Sequence, residues 1–383
     1  MSAPRRLLTI GHSYCVRRNR ELAETIAREG RGEWEVTVAA PDRYPGDLAP
    51  IVTTHDADER CDLRRLPVRF ASRVHVMTYG GMRRLLGERW DVVHCWEEPY
   101  VLAAAQVAHA AGPGPALVYA SFQNIDKRYP PPFGAIERYS MRRARGWIAF
   151  GASIEATLGP RPAYAARPHA VIPFGVDLAR FTPDSAGRGA VRARSGWDVD
   201  GPPVVGYLGP FVESKGLPML VEVLEALERR GVAWRALFVG GGPWEGRLRE
   251  FAARHEGRVQ VATGVSHDDV PPYLHAMDVL AAPSQTTPSW REQFGRMIVE
   301  AFACAVPVVG SDSGEIPHVI GDAGVIVGER DRDGWVRALE RLLGDAALRR
   351  EVGARGRARA EREFDWSVVA RRHLAFFHQL LAS

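Results

Sequence analysis

Residues 291–314 read REQFGRMIVEAFACAVPVVGSDSG, and the order of residue types in this stretch decides the fold. Glu292 and Gln293 precede Phe294-Gly295. A helix of small and apolar residues then runs to Cys304, and the apolar run Val306–Val309 ends at Gly310-Ser311-Asp312. Helix, tight connection and buried strand in that order form the repeating unit of a parallel α/β layer. The same layout has chemical content. The first N–H groups of a helix lack partners within it and lie at the positive end of its dipole, so Phe294–Met297 would suit a phosphate. Glu300, about one and a half turns inside the helix, could accept two hydrogen bonds from vicinal hydroxyls such as those of a ribose. Glu292, just outside, would reach the group attached beyond the phosphates. Diol, diphosphate and a third polar group together describe a nucleotide sugar. Taken alone, two glutamates at this spacing favour an ordinary amphipathic helix with solvated carboxylates, so the flanking sequence has to reverse that reading.

The chain has 383 residues, enough for two domains, and its 46% hydrophobic and 25% charged content is globular. No apolar run is long enough to span a bilayer, and Met1–Gly11 reads as a first strand rather than a signal peptide, so a cytoplasmic protein is expected. A net charge of +4 could hint at nucleic acid. Yet Lys127 and Lys215 are the only lysines, and the other 48 of the 50 basic residues are arginine. That skew is compositional; no nucleic-acid partner is expected, and Lys215 stands out. Cys15, Cys61, Cys95 and Cys304 show no metal-binding spacing and read as buried thiols.

Short apolar runs alternate with amphipathic stretches throughout. In the first half strands are expected at Arg6–Ile10, Trp34–Ala39, Val74–Met77, Asp91–Cys95, Ala116–Ala120, Gly146–Phe150 and Ala170–Ile172. A second set follows at Val204–Leu208, Ala236–Val239, Arg258–Val261, Val279–Ala281, Val306–Val309 and Gly324–Val327. Between them, the polar Gly/Arg-rich stretch from Asp177 to Gly201 reads as a linker and surface loop. The pattern predicts two doubly wound Rossmann-like domains facing a central cleft, with ligand at the carboxyl ends of the strands.

Glu292-(seven residues)-Glu300 enclosing Phe294-Gly295, then Glu300-Ala301-Phe302-Ala303-Cys304-Ala305-Val306-Pro307-Val308-Val309, resembles the retaining family-4 glycosyltransferases. The glycine usual in that pattern is Ala305 here. The resemblance implies a GT-B fold. An N-terminal acceptor-binding domain would span 1–175 and a nucleotide-sugar-binding domain 176–365, with a C-terminal helix over 366–383 crossing back to the first. It implies transfer of a sugar, with retention and without a metal or other cofactor, from a nucleoside-diphosphate sugar to a hydroxyl of an unidentified acceptor. Glu292 and Lys215 become the catalytic candidates, Lys215 through the loop Gly209-Pro210…Lys215-Gly216, in which Pro210 replaces the arginine that usually joins the lysine on the diphosphate. Gly209, Gly242, Val265, Gln293, Phe294, Gly295 and Glu300 join them as donor-binding candidates, Val265 against the nucleobase. Gly242 also fits a plain tight turn. The triplets Asp56–Asp58, Asp198–Asp200 and Asp331–Asp333 read as solvated carboxylates rather than metal ligands. On the acceptor side His12, Glu97, Gln123 and Asn124 are candidates, each equally suited to capping a loop. Arg138, Arg142, Arg143 and Arg145 form a basic helix face for which simple exposure is favoured over membrane contact. Two alternatives remain open at this stage: an epimerase or phosphorylase on the same fold, and a non-catalytic nucleotide-sugar-binding partner.

Overall fold

Leu7, Leu8 and Ile10, with Val92, Val93 and Cys95, are fully buried. Successive side chains of a strand can all be apolar only where both faces of the sheet are covered, the setting of a parallel sheet with helices on each side. The computed structural model describes residues 3–45 and 50–383, and the chain divides into two units: Met1–Phe174 with Trp366–Ser383, and Gly175–Asp365.

The first unit holds seven parallel strands, in the spatial order His169–Val171, Gly146–Ala149, Ala116–Ser121, Val92–Cys95, Arg5–Ile10, Trp34–Pro41, Asp62–Leu66. The chain starts in the middle, grows one way, then crosses back and grows the other way. The reversal falls between Arg5–Ile10 and Val92–Cys95, where Leu7 lies opposite Val92 and Ile10 opposite Cys95. Loops leaving the two strands diverge there and open a crevice. The second unit repeats the scheme with six parallel strands: Val259–Ala262, Arg235–Gly241, Val204–Pro210, Val279–Ala282, Val308–Ser311, Val325–Val327. Its reversal lies between Val204–Pro210 and Val279–Ala282, with Val205 opposite Val279. Leu217, Leu220, Leu224 and Leu227 fall on one face of the helix Leu217–Arg229 and are buried in this unit's core.

The terminal helix Trp366–Ala382 belongs to the first unit. Trp366 Nε1 donates to Glu21 at 2.7 Å, and Phe376, Phe377 and Leu380 join that unit's core. The expected return of this helix is observed.

Three segments depart from the sequence reading. Val74–Val76 is a single 3-10 turn rather than a strand. The sheet edge is instead Asp62–Leu66, whose alternating charges hid it; an edge strand tolerates such residues because one side stays open. Within the expected linker, Ser185–Arg194 is a helix. Asp184 caps it by accepting from Ala186 N and Gly187 N, and buried Arg192 ties it to Asp278 at 2.5 Å and to the Ala276 carbonyl. Tertiary contacts of one arginine override the low helix propensity of a glycine-containing segment. Finally, the helix from Ala346 is α-helical to Arg359 and ends in a wider π turn at Ala360–Phe364.

Candidate functional site

In the second unit the switch point is spanned by one ion pair. Lys215 follows the strand Val204–Pro210, and Glu292 follows Val279–Ala282, so the two come from the diverging loops. Lys215 Nζ lies 2.6 Å from Glu292 Oε2, and Ser284 Oγ donates to the same oxygen at 2.8 Å. Both partners are largely buried, and the ammonium sits 4.4 Å from the centre of the Trp290 ring. A buried pair of this kind is a strong constraint on geometry, because removing either partner strands a charge. Two glycines let the loops approach. Gly216 adopts φ +74°, and a Cβ there would fall 1.8 Å from the Pro283 carbonyl oxygen. Gly314, at φ +57°, passes under Glu292 so closely that a Cβ would lie 2.0 Å from the Glu292 carbonyl oxygen.

Gly295, at φ +82°, caps the helix Arg296–Ala303 and offers its first turn no side-chain acceptor. Phe294 is buried and packs edge-on against Phe364, whereas Gln293 is exposed. Glu300 lies within the same helix, buried, with Oε1 2.8 Å from His267 Nε2. Since a carboxylate only accepts, Nε2 carries a proton, and the buried His267 Nδ1 has no hydrogen-bond partner among the described residues. Val265 is half-buried two residues before that histidine. Gly209 and Gly242 close the adjacent strand ends: Gly242 sits at φ +145° with the Phe211 carbonyl oxygen 2.7 Å from where its Cβ would be. Pro210 ends the strand and accepts from Tyr207 Oη at 2.7 Å. His267, Ser284 and Trp290 escaped the sequence reading. His267 and Trp290 act through partners far along the chain, and Ser284 reaches Glu292 only through the fold of the loop between them; no local pattern marks such a pairing.

The first unit's switch point is spanned in the same way by different chemistry. Glu97, 1% exposed, accepts from the His12 backbone N–H at 2.7 Å, His12 Nδ1 at 2.8 Å and Tyr79 Oη at 2.5 Å. Burial alone would raise the Glu97 carboxyl; the charge and hydrogen bonds of His12 and the Tyr79 hydroxyl hold it below its ordinary value. Burial works against the His12 imidazolium too, and Glu97 more than offsets it, so the histidine titrates above its ordinary value. Beside them Glu98 accepts from Phe122 N and Ser121 Oγ, both at 2.7 Å. Burial nevertheless pushes its carboxyl up to about 7. His12, Glu97 and Glu98 line a cavity of about 260 Å³ with Trp96, Tyr100 and Phe122 among its walls. Gln123 and Asn124 are buried but are not among the residues lining it; Gln123 bonds Tyr129 Oη and the Ile125 N–H within its own turn.

The aspartate triplets hold structural partners or lie open. Asp56 and Asp58 pair with Arg17, Asp331 caps the helix Arg332–Gly344, and Asp198 and Asp200 are exposed.

Comparison with known proteins defines the class first. Over 99% of both chains the fold superimposes on sucrose-phosphate synthase from Thermosynechococcus elongatus, with a TM-score of 0.74 at 20% identity. Over 98% of this chain it superimposes on Anabaena HepE in complex with UDP and glucose, with a TM-score of 0.71 at 17% identity. Two doubly wound units arranged along one chain in this way form the GT-B fold. Residues 202–345 match the family described as Glycosyl transferases group 1. A GDP-mannose-dependent alpha-(1-6)-phosphatidylinositol monomannoside mannosyltransferase of Mycolicibacterium smegmatis is 34% identical over 240 residues, 60% of this chain and 58% of that protein. A D-inositol 3-phosphate glycosyltransferase of Salinispora tropica is 33% identical over 228 residues, 55% of this chain and 46% of that protein. The chain thus spans about half the length of the curated relatives it matches.

Proposed function

We propose that this chain is a retaining glycosyltransferase that works in the cytoplasm without a metal, moving a sugar from a nucleoside diphosphate to an acceptor hydroxyl. The observation that carries the reading is the buried Lys215–Glu292 pair, held across the second unit's switch point at the start of the Gly295 helix. A diphosphate docked there meets the helix amides and exchanges the Glu292 carboxylate for its own oxygens at Lys215. Glu292, released from the ammonium, then accepts hydrogen bonds from the donor sugar and faces the positive charge that develops at its anomeric carbon. Glu300, held by His267, accepts from the ribose hydroxyls, and the backbone at Val265 borders the nucleobase. Gly209 and Gly242 let the backbone approach the nucleotide, while Gln293, Phe294 and Gly295 form the helix entry. In the transfer, the acceptor oxygen bonds to the anomeric carbon on the face the phosphate leaves. The carbon–phosphate oxygen bond breaks, and the departing phosphate takes the acceptor's proton. No carboxylate nucleophile is required. Four free, buried cysteines agree with a reducing compartment. His12 and Glu97 serve the acceptor in the first unit, with Gln123 and Asn124 supporting the loop beside it.

Release of nucleoside diphosphate, followed against a panel of donors and acceptors, tests the proposal. It should depend on acceptor and fall about 100- to 1000-fold in Glu292→Gln, while that variant still binds the nucleoside diphosphate. Anomeric configuration of the product, read by NMR, tests retention; an inverted product would refute the front-face mechanism.

A further inference from the structure

The first unit's cavity has a composition that selects its ligand. Its polar lining is carboxylate, imidazole, hydroxyl and the Asn19 carboxamide, and no arginine or lysine lies among the described residues that line it. Glu97 is already committed, with three donors fixing it to His12 and Tyr79. Its role is to hold the imidazole. Because Nδ1 donates to Glu97, the ring's remaining nitrogen, Nε2, is the one that meets a ligand, and the ring is 29% exposed. Glu98 supplies the second polar contact: each of its oxygens accepts one protein hydrogen bond and retains a further lone pair. Aromatic side chains make up much of the remaining wall. A broader depression of about 690 Å³ shares Val74 and Tyr100 with the cavity, and Tyr129 stacks on Tyr100 there at 4.1 Å between ring centres.

Acceptors for hydroxyl protons beside aromatic faces recognise a polyol ring, whose O–H groups donate and whose C–H faces pack on the aromatic walls. A phosphate there would press against the Glu98 carboxylate, and the cation-forming residue among the described residues lining the cavity, His12, is already paired with Glu97; Arg73 lines the broader depression only. Curated relatives are named for inositol 3-phosphate or a phosphatidylinositol mannoside, so this is a departure in substrate class.

We infer that the cavity lined by His12, Glu97 and Glu98 takes the acceptor as a polyol ring without a phosphate, a sugar or cyclitol whose hydroxyls engage Glu98 and His12 Nε2. The inference rests on the proposed transfer reaction for the word acceptor; the binding preference belongs to the cavity itself. The test uses the full chain, with myo-inositol, methyl α-D-mannopyranoside and myo-inositol 1-phosphate as probes, followed by ligand-detected NMR and calorimetry. At least one unphosphorylated probe should bind ten-fold or more tighter than the phosphate ester. Glu98→Gln should weaken it about ten-fold, the scale of one lost charged hydrogen bond. Glu98→Arg should reverse the order of preference. Nucleoside diphosphate binding, measured on the same samples, reports whether each variant is folded and whether the donor reading holds independently. Tighter binding of the phosphate ester by the unaltered protein overturns the inference, as does failure of all three probes to bind. An unchanged preference in a folded Glu98→Arg variant overturns it too. If polyols bind but no nucleoside diphosphate does, the donor reading fails while the cavity's selectivity stands.

Discussion

The two units solve one topological problem with two different side-chain pairs. In each, the loops after the first and fourth strands diverge, and a glutamate from the fourth-strand loop reaches a cation-forming residue from the first: Glu292 to Lys215, Glu97 to His12. The lysine pair rests against Trp290 at the entry of the Gly295 helix, where the proposed reading docks a diphosphate. The histidine pair is pinned by Tyr79 and faces a cavity edged by another carboxylate. A lysine ammonium can trade one anion for another. A histidine locked to a carboxylate instead offers a single ring nitrogen to a neutral hydroxyl. Identical architecture therefore says where a ligand binds in each unit, and the partner of the glutamate says what kind.

The largest effect should come from disturbing the lysine side. Glu292→Gln keeps the volume and the Ser284 contact but removes the charge, and turnover should fall about 100- to 1000-fold, as for loss of one transition-state stabilising group. Nucleoside diphosphate affinity should hold or rise, since Lys215 loses its internal competitor. A parallel fall in both quantities would mean that the pair is only structural.

Acidification separates the units by a different route. His94 and His373 lie side by side in the first unit, fully buried, their rings tilted at 59° with centres 5.6 Å apart. Burial lowers His373 to about 4, against the pull of the Val369 carbonyl, and holds His94 well below its ordinary value with the help of His373. A group depressed in the folded state confers stability that is complete above its unfolded value near 6.5 and is lost as pH falls toward 4. For His373 the loss is about 3 kcal/mol. Glu98 runs the other way. Its carboxyl is raised to about 7, so the folded state binds the proton first and stability grows as pH falls from 7 toward 4.5. Glu98 offsets only part of the combined loss from His373 and His94, and the unaltered protein should lose stability as pH falls through that window. His373→Phe should lose less stability on acidification than the unaltered protein, and Glu98→Gln more. Identical slopes in both variants would break this account.

Lys215→Met comes next. It removes the cation that the proposed function sets against the diphosphate, and nucleoside diphosphate affinity should drop about 10- to 100-fold, with Lys215→Arg recovering part of it. Calorimetry at several salt concentrations measures this. An unchanged affinity would shift the weight of anion binding to the helix amides alone.

How much of this was legible beforehand follows the range of the interaction. The α/β alternation, the buried strands and the helix entry at Gly295 are local patterns of period and residue type, and they read off the chain directly. The charged edge strand Asp62–Leu66 did not, because its stability comes from pairing with Trp34–Pro41 rather than from its own apolar content. The helix Ser185–Arg194 was hidden for the same reason, since Arg192 finds Asp278 across 86 residues of chain. His267 against Glu300 and Ser284 against Glu292 likewise exist only once the loops are folded.

One departure was visible in the sequence, and its physical consequence is the smallest effect. Ala305 stands where the resembling pattern has glycine, and it adopts φ +55°. The helix Arg296–Ala303 ends there in a Schellman turn: Val306 N–H bonds the Ala301 carbonyl at 2.8 Å and Ala305 N–H bonds that of Phe302 at 2.9 Å. A left-handed alanine costs about 1–2 kcal/mol, whereas glycine takes the conformation freely but loses up to about 1 kcal/mol more backbone entropy on folding. Ala305→Gly should therefore stabilise the second unit by about 0.5–1 kcal/mol, read as a rise in its denaturant midpoint, and leave the first unit unchanged. Because this turn ends the helix that carries Glu300 and begins at Gly295, the same variant tests whether strain reaches the nucleotide site. Higher stability with unaltered nucleoside diphosphate affinity would confine the strain to the turn. A change in affinity would mean that the helix entry shifts with its far end, and that the lysine side is tuned by backbone strain absent from its histidine counterpart.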